Sequence, residues 1–462
     1  MNVNNSAPPQ AAASASATET FARWYAESFR RHRLTADVVH HAKRAVIDWY
    51  ASLYPGLQTE AVRVLERVLA DDLDRGAARL VGVGEGRLAT PRAAALHNGT
   101  AAHAAELDDS FRDAMLHPGA PTIAAALSAS QAVGATGAEF LRAVVLGYEV
   151  STRIGVTMGR AHYRYWHNTG TMGTFGAAAA AGAVNALDEL AFANALALAG
   201  TFTAGLQQAF RLETMAKPLH AGRAAEAGVL AAQLAARGLR SSLDVLDGDA
   251  GLGRAMSTGP DWSEIGATLG EDFHITRLTF KNHIGCGHTF PAIDGALELQ
   301  RRHGFTAADI ERIHVATYKP ALDIARHVDP RSAAEARFSL HYVVATALVH
   351  GSVRLAAYDP GRLVDAATRA LMKRITAVVD PEIDAGFPGR RAARVEVLLR
   401  DGRNLVHFQP DRKGDPELPL SDVELGDKLL ELAGPVIGGT AARTLLDRIW
   451  RLDTLADLQS LG

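Results

Sequence analysis

Residues 165–182 read Tyr-Trp-His-Asn-Thr-Gly-Thr-Met-Gly-Thr-Phe-Gly-Ala-Ala-Ala-Ala-Ala-Gly. Alanine is the strongest helix former, so the five-alanine run predicts a helix, placed at 172–186. The threonines ahead of it are natural caps for its start. Faces built of alanine and glycine let neighbouring helices approach closely, and the same composition extends to both sides. Segments 36–53, 60–71, 91–105, 119–133, 137–155, 188–200, 220–237 and 242–256 also read as helices by apolar spacing. Gly/Asp-rich breaks at 134–137 and 247–251 punctuate them. No strand-like alternation is evident between 18 and 270. The prediction is a large, close-packed all-α domain over 18–273.

The pattern changes after Phe273. Residues 274–280 and 310–318 alternate like strands. Residues 286–303, 334–350 and 360–372 read as helices. Residues 391–400, the turn Asp401-Gly402 and residues 403–409 give a hairpin signal. This describes a smaller α+β domain over 274–412. Residues 421–434 and 440–460 return to helix, so 413–462 is expected to pack back on the first domain. Residues 1–17, rich in Ala, Ser, Pro and Gln, read as a disordered tail with no signal-peptide pattern.

The chain has 462 residues, 48% of them hydrophobic, and a formal net charge of −3. A near-neutral balance argues against nucleic acid as a partner. No apolar run reaches the length of a membrane span. A single cysteine, Cys286, excludes an intramolecular disulfide and a cysteine-rich zinc site, and fits a reducing, cytoplasmic setting.

Four stretches carry chemistry. In 103–118 the carboxylates Glu106, Asp108 and Asp109 crowd around Ser110 and His117. Carboxylates this close must pair with cations or take up protons. His117 precedes Pro118, where a helix pattern breaks, and an imidazole there suits acid/base work near neutral pH. The plainer reading is a loop of helix caps with a surface histidine. In 162–176, His167 stands before a Gly/Thr turn whose Thr169 and Thr171 open the alanine helix, a favourable place for a carboxylate. The alternative is ordinary capping. In 211–223, Arg211, Lys217, His220 and Arg223 are cations in an apolar setting, suited to substrate carboxylates or to pairing with Glu213 and Glu226. In 281–294, Lys281, His283, Cys286 and His288 fall at the junction of the two domains, where ligand sites tend to lie.

Together these motifs resemble the MmgE/PrpD family. The resemblance rests on His103-Ala-Ala-Glu-Leu-Asp-Asp-Ser110 with His117-Pro-Gly, Val145-Leu-Gly-Tyr-Glu-Val150, His167-Asn-Thr-Gly-Thr171, Lys217-Pro-Leu-His-Ala-Gly-Arg-Ala-Ala225, and Lys281 with Cys286-Gly-His288. Arg337-Phe-Ser-Leu340 and Pro419-Leu-Ser-Asp422 also fit. The resemblance implies a large all-α domain, a smaller α/β lid and an active site between them. It also implies a homodimer without metal or cofactor, acting on small di- or tricarboxylates.

His117, His167, Lys217 and Lys281 match the catalytic histidines and lysines of the family's decarboxylase. The expected substrate-binding residues are Glu106, Asp108, Ser110, Thr169, Thr171, Arg211, Cys286 and His288. Ser110, Glu106 and Cys286 stand where that enzyme has threonine, aspartate and histidine. The expected reaction is therefore dehydration of a hydroxy-polycarboxylate of the 2-methylcitrate type. The alternative is epimerisation of the iminodisuccinate type. Decarboxylation of the cis-aconitate type ranks lower, and a non-catalytic binding protein lower still, because the histidine and lysine positions are filled.

Overall fold

The structure, a computed structural model, describes residues 15–83, 87–211, 214–387 and 389–462. Most of the disordered-tail expectation therefore falls outside the described residues. Its last residues are ordered: Ser16 caps the helix Ala17–Trp24, its hydroxyl accepting from the Glu19 amide.

The larger part is helical, as the alanine content requires. Its helices include Ala36–Leu57, Pro91–Ala104, Gly119–Val133, Gly137–Tyr163, Asn168–Val184, Glu189–Phe202 and Lys217–Ala235. The alanines at 177–181 are fully buried. Close approach is clearest where Pro91–Ala104 crosses Lys217–Ala235. A Cβ on Gly99 would lie 3.1 Å from the Gly222 Cα, and one on Gly222 would strike the Thr100 hydroxyl and the Leu96 carbonyl. Only small residues fit at such a crossing. Three of the helices joined by these faces carry the motif residues: His103, His167 and Lys217 each stand at a helix end.

The smaller part holds a four-stranded sheet in the order Ile375–Val379, Ile310–Thr317, Ala393–Leu399, Asn404–Gln409. The first pair is parallel and the other two antiparallel. Ala393–Leu399 alternates strictly between buried and half-buried positions, with Val395, Val397 and Leu399 inward. The helices Phe290–His303 and Leu340–His350 cover the sheet. The C-terminal helix Asp422–Ile437 packs against Ala36–Leu57 in the helical part. There Lys428 Nζ lies 2.6 Å from Asp48 Oδ1, with both side chains buried, and also donates to the Leu107 carbonyl at 3.0 Å.

Several local expectations change. A small antiparallel pair, Leu73–Arg79 with Leu88–Ala89, interrupts the helical part. Its sequence, LDRGAAR, has no period-two pattern. The helix expected at 242–256 shrinks to Leu252–Met256. Ahead of it Gly248 and Leu252 turn back onto the Asp244 and Val245 carbonyls, so the Asp/Gly content makes turns. The strand expected at 274–280 is a short 3-10 turn, His274–Arg277, followed by a single bridge between Thr279 and Ser110. The helix expected from 286 starts at Phe290, because Cys286 turns toward Arg337. The helices expected at 334–350 and 360–372 are each broken in two, at Ser339 and at Asp365, whose side chains cap the second piece. The helix expected at 440–460 ends at Trp450. No described helix is long and apolar enough to cross a membrane.

Candidate active site

The site forms where Pro91–Ala104 ends. Glu106 adopts a left-handed backbone conformation, φ +58°, which is uncommon for a residue with a side chain. The reversal folds Asp108 back under the helix end. Asp108 Oδ2 then accepts from His103 Nδ1 at 2.7 Å, with both side chains buried. Burial alone would raise the Asp108 carboxyl. His103 and His117 outweigh that effect and hold it below the ordinary carboxylate range.

His117 donates from Nδ1 to the Asp109 carbonyl at 2.7 Å. A carbonyl only accepts, so the Nδ1 proton is fixed and Nε2 carries the lone pair. His117 Nε2 has no protein hydrogen-bond partner among the described residues, and the side chain keeps 19% of its surface exposed. His103 Nε2 is buried and unpartnered. The backbone N–H of His117 donates to Thr169 Oγ1 at 3.2 Å, which ties the loop to the start of the alanine helix. Four imidazoles stand in a row: ring centres are 5.0 Å apart for His117 and His103, 5.5 Å for His103 and His167, and 5.3 Å for His167 and His220.

Two lysines close on the same turn. Lys217 Nζ lies 3.1 Å from Glu106 Oε1, and Lys281 Nζ donates to the Glu106 carbonyl at 2.8 Å. Burial would raise Glu106, but Lys217 and Lys281 pull it down to about 2, so it is ionised. Burial lowers Lys281 from its ordinary value, with Asp108 opposing. Below the turn, Asp109 accepts from the Tyr148 hydroxyl at 2.7 Å and the Gly119 amide at 3.0 Å.

A cleft of about 940 Å³ opens on this wall, lined by His103, Glu106, Arg211 and Lys217 from the helical part and by Ile284 and Arg337 from the other. His117 and Lys281 adjoin these lining residues, His117 by its ring beside His103 and Lys281 by its bond to the Glu106 carbonyl. Other expected residues lie elsewhere. The Thr171 hydroxyl is buried, bonded to His162 Nε2 at 2.8 Å and to the His167 carbonyl. His288 turns toward Tyr318, 2.8 Å from its hydroxyl. Ser110 takes part through its backbone, exchanging hydrogen bonds with Thr279. Cys286 is buried, and burial pushes its thiol up. Arg223 pairs with Glu226. His220, read as one of the cations suited to substrate carboxylates, stands with its Nδ1 3.1 Å from His167 Nδ1, while His103 is the member of the row to which the sequence assigns no role. The available signal was His103 five residues before Asp108, which becomes a contact only through the turn at Glu106.

Among the described residues, His103, Asp108 and His117 are the one trio whose ligand atoms all lie within 4.8 Å of one another, close enough to hold a metal ion. The nitrogens nearest Asp108 are the two Nδ1 atoms, and both are engaged with oxygen acceptors, so the trio as it stands is a hydrogen-bonded cluster.

Burial sets an acid limit on stability. It pushes His117 down to about 3 and His162, His274 and His288 to about 4. An unfolded histidine takes up its proton near pH 6.5, so below that pH the unfolded chain binds protons that the folded chain refuses. Stability contributed by these groups is lost as pH falls from about 6.5 toward 4. Burial raises Asp109 to about 8 and Glu149 to about 7, and these lose stability in the opposite direction, as pH rises. Four imidazoles outnumber two carboxyls, so the urea midpoint is expected to be lower at pH 5 than at pH 7. An equal or higher midpoint at pH 5 contradicts this.

Comparison with known proteins agrees with the motifs. The MmgE/PrpD N-terminal domain matches residues 19–265, and the MmgE/PrpD C-terminal domain matches residues 283–454. Curated relatives include a cis-aconitate decarboxylase-like protein, oryM, of Aspergillus oryzae, 28% identical over 472 residues and 96% of each chain. The cis-aconitate decarboxylase of Aspergillus terreus is 25% identical over 95% of this chain and 93% of its own. That of Mus musculus is 26% identical over 96% of this chain and 92% of its own. With both domains matched in order across nearly its whole length, the chain belongs to the MmgE/PrpD family of enzymes.

Proposed function

We propose that the chain is a lyase that dehydrates a small hydroxy-polycarboxylate by proton transfer next to a carboxylate, using no cofactor. The observation that carries this reading is the paired imidazoles, His103 and His117, each with Nδ1 fixed by an oxygen acceptor, beside Lys217 and Lys281. Taking a proton from carbon beside a carboxylate builds negative charge on that carboxylate. The two ammonium groups stabilise it electrostatically. His117, with Nε2 available, accepts the proton, and a second imidazole of the row protonates the leaving hydroxyl. Dehydration needs two such transfers, which suits a row of histidines.

Decarboxylation is the second reading, favoured by the names of the relatives at 24–28% identity. It needs a single proton donor after carbon dioxide leaves. The two readings separate when the protein is incubated in D2O with 2-methylcitrate and, separately, with cis-aconitate, followed by NMR and ultraviolet absorbance. Alkene formation from the hydroxy acid is the expected result. Carbon dioxide release from cis-aconitate, with no turnover of the hydroxy acid, replaces dehydration by decarboxylation. Deuterium entering the α-carbon without alkene formation points to epimerisation instead.

A further inference from the structure

Arg337 belongs to the Arg-Phe-Ser-Leu motif and lines the same cleft as His103 and Lys217, from the smaller part of the molecule. Its guanidinium stacks over the Tyr358 ring, 5.3 Å from the centroid. The ring is itself fixed, because the Tyr358 hydroxyl donates to the Ile284 carbonyl at 2.6 Å. Arg337 Nε is buried and has no hydrogen-bond partner, and no ion pair reaches the guanidinium among the described residues. A buried arginine N–H costs stability unless something satisfies it.

The backbone around Arg337 is equally constrained. Its carbonyl accepts from the Cys286 amide at 2.9 Å. That approach requires Gly285, at φ +119°: a Cβ there would lie 3.0 Å from the Arg337 carbonyl oxygen and 2.8 Å from the Tyr358 hydroxyl. The loop so held runs directly from Lys281, which grips the Glu106 turn. Arg337 is therefore positioned relative to the reacting wall through five residues of chain and three hydrogen bonds. A planar, pre-oriented fork of donors with an unmet N–H is the side chain best matched to a carboxylate.

The geometry points to Arg337 as the residue that binds a substrate carboxylate remote from the reacting carbon, while Lys217 and Lys281 hold the one beside it. The inference rests on the polycarboxylate reading above and extends it: the substrate carries at least two carboxylates, gripped from the two parts of the molecule that line the cleft. Arg337 is then a determinant of chain length and carboxylate number.

Calorimetric binding of tricarballylate, glutarate and butyrate to the full-length protein tests it, comparing wild type with Arg337→Gln and Arg337→Lys. Loss of a charge-assisted bidentate contact weakens binding by roughly tenfold to a hundredfold, expected for tricarballylate and glutarate in Arg337→Gln. Butyrate, with one carboxylate for the lysines, is expected to change by less than about twofold. Arg337→Lys, which keeps the charge and loses the fork, falls between, and it serves alone if the glutamine variant does not fold. Unchanged binding of the two longer acids, or an equal loss for all three, overturns the role of Arg337 and leaves the polycarboxylate reading standing. Failure of the wild type to bind either longer acid overturns both.

Discussion

Replacing His117 by alanine is expected to lower kcat by about 10²–10⁴, the usual contribution of a positioned acid or base, with little change in thermal stability. The reason is the accessible lone pair. His117 and His103 are both held through Nδ1, but His103 Nε2 is buried while the His117 side chain keeps a fifth of its surface open. Burial also keeps His117 neutral throughout the physiological range. A base that is already unprotonated shows no acid-limb loss of kcat/KM near pH 6.5, a second readout on the wild type. Activity in His117→Ala within about threefold of wild type would assign the proton transfer to another group.

The largest effect on stability is expected from Lys428→Met. Removing one member of a buried ion pair strands the other and costs about 3–5 kcal/mol. Asp48 is fully buried, and Lys428 is its cation, 2.6 Å away. The same ammonium holds the Leu107 carbonyl, one residue beyond Glu106, so the variant also loosens the reacting turn. The double variant Asp48→Asn, Lys428→Met removes both charges and is expected to recover much of the loss. Urea unfolding of the three proteins measures this. Equal midpoints for the single variant and the wild type would show that the pair contributes nothing.

Much of the architecture was legible because its causes are local. Alanine runs and Ser/Thr/Asp caps mark helix ends, as Thr35, Thr90 and Asp188 do by accepting amide hydrogens of the first turn. The 393–409 hairpin was legible because Ala393–Leu399 alternates and Asp401-Gly402 turns. The strand Ile375–Val379 was not, because its pairing is parallel to Ile310–Thr317 and no turn announces a parallel partner. At the site, Lys217, Lys281, Glu106 and Asp108 read as a cluster and meet in space. The pairing of His103 with Asp108 depends on a left-handed residue, and that of His220 with His167 on two separate helices, so neither shows in the linear order. Thr171 looked like a ligand group, but its hydroxyl is consumed by His162.

The segment that leads to His117 is stitched at residues 106–112 to residues 279–281 and 415–417. Ser110 and Thr279 exchange backbone bonds, Thr279 reaches Asp415, Arg112 pairs with Asp415 and Glu417, and Lys281 grips the Glu106 carbonyl. If the two parts swing apart to admit substrate, this seam is the hinge and not the moving jaw. Met215 and Phe338, both exposed, line the cleft together with Arg337. The acid/base groups then keep their alignment through every opening, and Arg337, tied to Lys281 through the Cys286 loop, keeps its place beside them.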